Sequence, residues 1–151
     1  MTDTLEALLQ AHPAEAPAIG APDRPWLGHA GLRALTHEVR ATLAEAGIAR
    51  GDRVAIVLPN GPEMAAAFVT IAQSATTAPL NPAYRVDEFD FYLRDLGAKA
   101  IVLPADYDGP AAEAASRRGL PLLRLDFDPA APAGRFTRRR WPRRPSPRTR
   151  R

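Results

Sequence analysis

Four short apolar runs alternate with stretches of helical spacing, and this alternation constrains the fold more than any other feature of the chain. The runs lie at 53–58 (Arg-Val-Ala-Ile-Val-Leu), 76–80, 100–103 and 121–125. Between them, Met64, Ala67, Phe68 and Ile71 recur at helical spacing over 62–74, and Phe89, Leu93 and Leu96 over 86–96. An Ala-rich stretch over 108–118 completes the series, closed by Gly119. Upstream, Leu32, Leu35, Val39 and Leu43 predict a helix over 31–46 with Gly47 past its end. A further short helix is expected over 4–11 with Thr4 as N-cap, and a short strand at Ala18-Ile19. A nearly continuous apolar run such as 54–58 fits a strand buried on both faces. Strand, helix, strand with short links implies right-handed crossovers and a parallel layer. The expected fold class is α/β, a partial parallel sheet with flanking helices.

The chain has 151 residues, enough for one ordinary domain. It contains no Cys, which excludes a disulfide framework, a thiolate metal site and a Cys nucleophile. No apolar run approaches the roughly 20 residues of a membrane span. The start, Met1-Thr2-Asp3-Thr4-Leu5-Glu6, is acidic and lacks the apolar core of a secretory signal, so a cytoplasmic location is expected.

α/β layers often host nucleotide chemistry, which has recognisable motifs. Neither Gly-x-Gly-x-x-Gly nor Gly-x-x-x-x-Gly-Lys-Ser/Thr occurs. The single lysine, Lys99, precedes a predicted strand and reads as a solvated edge residue. Ser74-Ala75-Thr76-Thr77 is rich in hydroxyls but lacks the glycines that let backbone N–H groups approach phosphate, so it reads as a helix end followed by a strand. His12, His29 and His37 are not spaced to share a metal on one helix face, and His29 and His37 flank or sit on the second helix. Gly-x-Ser-x-Gly is absent, which disfavours a nucleophile elbow. Asp87, Glu88 and Asp90 fall in the first turns of a helix and complement its dipole. Paired carboxylates for acid–base work are the alternative. No catalytic, cofactor-binding or metal-ligating residue is assigned.

Charge divides the chain. Residues 1–134 hold 11 basic and 17 acidic side chains, whereas 135–151 hold nine Arg and no acid. The acidic body has no electrostatic reason to seek nucleic acid. The last segment has Phe136 and Trp141 but no aliphatic side chain, so disorder is expected over 129–151. Three explanations stand for it: a nucleic-acid-binding tail contacting phosphates in a salt-sensitive way, a neutral solvated tail, or an out-of-frame extension on a truncated gene. The last is preferred. GC-rich DNA read in a wrong frame yields Arg and Pro, and the composition changes near Gly134.

Several segments recur in a fixed order: Leu35-Thr36, the stretch Gly47-Ile48-Ala49-Arg50-Gly51-Asp52-Arg53-Val54-Ala55-Ile56, Leu58-Pro59-Asn60-Gly61-Pro62-Glu63, and Glu88 through Tyr92-Leu93 to Gly97-Ala98-Lys99. On these segments, residues 3–128 resemble the N-terminal portion of the AMP-forming acyl-CoA synthetases. The run Thr76-Thr77-Ala78-Pro79-Leu80-Asn81-Pro82-Ala83-Tyr84-Arg85 is most similar to the oxalate–CoA ligase and fatty-acid–CoA ligase branch. The resemblance implies the N-terminal subdomain of the adenylating-enzyme fold over 1–128, followed by the Pro/Arg-rich tail of 129–151. It implies a parent enzyme that uses ATP, Mg²⁺ and CoA to convert a carboxylate to its thioester. The family's Ser/Thr- and Gly-rich phosphate loop ending in Pro-Lys-Gly, its later adenosine and Mg²⁺ motifs and its lid lysine do not occur in these 151 residues. The expectation is therefore a truncated acid–CoA ligase, inactive alone and without a cofactor of its own. Its partner would be the remainder of the synthetase, docking on an exposed apolar flank. The alternative is a small α/β interaction module with a nucleic-acid-binding Arg tail.

Overall fold

A computed structural model describes residues 4–139. The chain opens with α1 (Leu5–Gln10), β1 (Pro17–Ile19), β2 (Leu27–Gly28) and α2 (His29–Glu45). It continues through β3 (Arg53–Ile56), α3 (Pro62–Ala72), β4 (Thr76–Pro79), α4 (Val86–Asp95), β5 (Ala100–Pro104), α5 (Pro110–Arg117), β6 (Leu122–Phe127) and β7 (Phe136–Arg138). Local chemistry sets these boundaries. The Thr4 hydroxyl accepts the Ala7 N–H at 3.2 Å and caps α1. Pro62 and Pro110 occupy the first turns of α3 and α5, where a missing N–H costs nothing. Gly47, Gly97 and Gly119 end α2, α4 and α5 with φ of +73°, +57° and +64°, a conformation that other residues resist.

The main sheet has the order β4-β3-β5-β6-β7. β4, β3, β5 and β6 run parallel, and β7 joins β6 antiparallel, with Phe127 opposite Phe136. A separate antiparallel ribbon pairs β1 with β2. Alternate residues of the central strands face opposite sides. Val54, Ile56, Ala100, Val102, Leu123 and Leu125 pack with Leu35, Val39 and Leu43 of α2 and Ala66, Ala67 and Ile71 of α3. Ala55, Val57, Ile101 and Leu103 pack with Phe89 and Leu93 of α4 and with Ala111, Ala112, Ala114 and Ala115 of α5. Cover on both faces explains why these strands read as unbroken apolar runs. The α/β class and the helix-flanked, mostly parallel sheet stand as the sequence predicts.

Two strands lie outside the sequence expectation. β2 has two residues, too few for a period. β7 corrects the boundary drawn at 128 and the disorder expected beyond it, as far as Arg139. Residues 129–139 fold with the body because their few apolar groups are inserted into it. Ala133 and Phe136 are buried, and the Ala133 N–H donates to the Pro25 carbonyl at 2.8 Å. Arg24 gathers the carbonyls of Asp128, Ala131 and Pro132, each at 3.2 Å, while its other nitrogen binds Glu63 of α3. Three arginines of the basic segment also meet carboxylates of this chain: Arg135 with Glu38, Arg138 with Glu45, and Arg139 with Asp106 and Asp126. The remainder of that segment, 140–151, lies outside the described residues.

Gly134 shows how closely the segment is fitted. Its φ is +84°, and a Cβ there would lie 2.9 Å from the Pro62 carbonyl oxygen and 3.2 Å from Ala66 and Ile19. Gly134→Ala therefore combines left-handed strain with a backbone clash, and is expected to cost about 2 kcal/mol. Urea denaturation of the two proteins measures it.

Candidate functional site

Open α/β layers bind ligands beyond the carboxyl ends of their strands, where successive connections diverge. Here β3 passes through α3 to β4 on one side, whereas β5 passes through α5 to β6 on the other. The divergence falls between β3 and β5, so the segments 57–61 and 105–109 frame the crevice. Both following helices begin at a glycine with no side-chain cap, Gly61 and Gly109.

Several charged groups near this end are engaged by the chain itself. Glu63, in the first turn of α3, holds Arg24, and the two side chains are only 13% and 16% exposed. Arg124 reaches across to the carbonyls of Ala105 and Tyr107. Asp106 meets Arg139 at 3.1 Å. The Tyr107 hydroxyl accepts the Ala111 N–H at 3.3 Å. Arg85 and Glu88 close a capping arrangement at α4, with the Arg85 N–H donating to the Glu88 carboxylate at 2.8 Å.

Lys99 sits at the other end of the sheet. Its N–H donates to the Arg53 carbonyl at the amino ends of β5 and β3, so its ammonium belongs to the side away from the crevice. Ser74-Ala75-Thr76-Thr77 forms the end of α3 and the start of β4, and the Ser74 hydroxyl is buried without a partner. Asp87 and Glu88 occupy the first turn of α4. Asp90 receives both a 2.7 Å and a 3.1 Å bond from Arg118, tying α4 to α5. That hydrogen-bonded guanidinium holds the Asp90 carboxyl below its ordinary range. His29 and His37 lie on α2 and His12 in the loop between α1 and β1; among the described residues the structure brings no three His, Asp or Glu together as a metal cluster. Arrangement of this kind supports folding contacts.

A second concavity lies on the opposite flank, between α2 and the β5-β6-β7 side of the sheet. It is an open groove of about 310 Å³, lined by Leu35, Val39, Ile71, Val102, Leu125 and Phe136 among others. Two ion pairs span it, Glu38 with Arg135 at 2.9 Å and Glu45 with Arg138 at 2.8 Å. The sequence shows its lining residues as core positions. It does not show the gap, which depends on where α2 stands relative to β6 and β7.

Comparisons with known proteins converge on one family. The family model described as AMP-binding enzyme matches residues 5–149, across the boundary drawn at 128. Oxalate–CoA ligase of Arabidopsis thaliana is 37% identical over 121 residues, 77% of this chain and 24% of that protein. Long-chain-fatty-acid–CoA ligase FadD13 of Mycobacterium tuberculosis is 34% identical over 85 residues, 56% of this chain and 16% of that protein. The crystal structure of apo MatB from Rhodopseudomonas palustris superposes with a TM-score of 0.72 at 24% identity, over 89% of this chain and 27% of that one. The chain thus spans about a quarter or less of the length of these relatives. A family match over nearly the whole sequence, on a layer with the same architecture, decides the matter: the chain belongs to the AMP-binding enzyme family.

Proposed function

We propose that this chain supplies the N-terminal layer of an AMP-forming acid–CoA ligase and does not catalyse the reaction by itself. In the parent reaction the carboxylate attacks the α-phosphate of ATP, forming the acyl-adenylate and releasing pyrophosphate, and the acyl group then passes to the thiol of CoA with release of AMP. Similarity to an oxalate–CoA ligase and to a fatty-acid–CoA ligase supports an acid as substrate. One observation carries the statement of inactivity. Near the carboxyl ends of β3 and β5, Glu63, Asp106 and Arg124 are each bound within the chain, and the lone lysine is at the other end of the sheet. The layer's own work is positional: it sets the loops after β3, β4 and β5 at one edge.

Two measurements test this. Purified chain with ATP, Mg²⁺, CoA and oxalate or palmitate is expected to release no pyrophosphate above blank; turnover would overturn the inactivity. In the second, residues 1–139 replace the matching stretch of the Arabidopsis oxalate–CoA ligase. The chimera is expected to fold and to form oxalyl-CoA. A soluble, cooperatively folded chimera with no turnover would count against the layer's assignment.

A further inference from the structure

Residues 5–16 lie across α2 as a strap, and a pair of stacked imidazoles joins the two. The His12 ring stacks on the His29 ring with centroids 4.4 Å apart and planes inclined by 22°. His12 is exposed, His29 lies buried beneath it, and the His29 Nδ1 has no hydrogen-bond partner. Around the stack, the N–H groups of His29 and Ala30 donate to the carbonyls of Ala16 and Ala14 at 2.9 and 2.8 Å. The Arg33 guanidinium donates to the carbonyls of Leu9 and His12 at 3.1 and 3.2 Å. Glu6 meets Arg40 at 3.1 Å further along α2.

Beyond these contacts the strap has only half-buried side chains such as Leu5, Ala7 and Leu9 to hold it. α1 has six residues and buries none of them, and a helix that short has little stability of its own. The charges facing His29 are all unfavourable to a proton. His12 comes from the strap, and Arg33 comes from the next turn of α2. His29 is also the first residue of α2, at the positive end of its dipole. From α1 only the Leu9 carbonyl opposes them. The strap's carboxylates are elsewhere: Glu6 is held by Arg40, and Glu15 is exposed.

We propose that residues 5–16 form a pH-released strap, in which a proton on His29 breaks the imidazole stack and detaches the segment from α2 while the main sheet stays folded. Burial first, then His12 and Arg33, lowers the His29 pKa from its ordinary 6.5. The docked strap therefore binds fewer protons than the released one. Its hold is complete above pH 6.5 and weakens as the pH falls from there toward the lowered value. Over that interval one proton is linked to release, so the released-to-docked ratio rises by up to about tenfold per pH unit. This inference does not rest on the ligase assignment.

NMR of the whole chain between pH 8 and 5 tests it, following the His29 ring protons together with the backbone amides. The expected result is that amides of 5–16 move to random-coil positions in step with His29, while those of β3, β5 and β6 do not move. His29→Phe keeps a ring in place without a titrating nitrogen and is expected to keep the strap docked at pH 5. Strap amides that stay in place while His29 titrates would overturn the proposal. So would release in the Phe variant with the wild-type midpoint, or loss of strap and sheet together. If the Phe variant does not fold, the wild-type coincidence of His29 titration and strap release decides alone.

Discussion

A chain ended after Asp128 is expected to be largely unfolded at 25 °C, whereas one ended after Arg139 is expected to fold. The shorter chain loses Phe136, buried against Leu125 and the α2 face, and a buried Phe is worth about 3 kcal/mol against Ala. It also loses Ala133, the ladder between β6 and β7, and the Ala131 and Pro132 carbonyls that Arg24 uses. Each unsatisfied buried polar group adds about 1 kcal/mol or more. The sum reaches or exceeds about 5 kcal/mol, comparable to the whole stability of a small domain. Circular dichroism against urea measures both chains, with Phe136→Ala as the single-residue control. Equal stability of the two truncations would show that 129–139 contribute nothing to the fold.

Arg24→Ala is expected to lower stability by about 3 kcal/mol, or roughly 10 °C in Tm. The guanidinium sits between Glu63 and three carbonyls of the segment 128–132. Its removal leaves the Glu63 carboxylate largely buried with no counter-charge, and the loss of one member of such a pair costs more than the pair contributes. The companion substitution Glu63→Gln with Arg24→Met removes both charges and is expected to recover most of the loss. Calorimetry of the single and double variants separates the two effects. A cost below about 1 kcal/mol for Arg24→Ala would mean the pair is solvated like a surface salt bridge.

Much of the fold was legible because its signals are local. Val54-Ala55-Ile56 and Ile101-Val102-Leu103 carry apolar side chains to both faces, and only a covered parallel strand accepts that. Gly47, Gly97 and Gly119 mark helix ends at the residue, because left-handed φ is cheap only for glycine. β7 was hidden for the opposite reason. In Arg135-Phe136-Thr137-Arg138 one buried Phe alternates with exposed polar groups, a strand pattern of minimal length set in Arg-rich surroundings. Net charge and low aliphatic content pointed to disorder. The carboxylates that neutralise three of those arginines come from Glu38, Glu45, Asp106 and Asp126, which lie ten or more residues away. The groove under α2 and the His12–His29 stack are likewise products of tertiary placement. No spacing along the chain encodes them. The family, by contrast, was carried by ordered turn segments that survive in sequence.

The alanines of α5 have a consequence for how this layer tolerates mutation. Ala111, Ala114 and Ala115 are each wholly enclosed between helix and sheet. A methyl group is the largest spacer that such a contact admits without pushing the helix outward, and overpacking costs about 1–3 kcal/mol per site. Substitution by Val or Leu at these positions is closed to drift, however common the neighbouring codons. Lineages of this protein should vary at Glu113 and Arg117 on the outer side of the same helix while the seam beneath keeps its width.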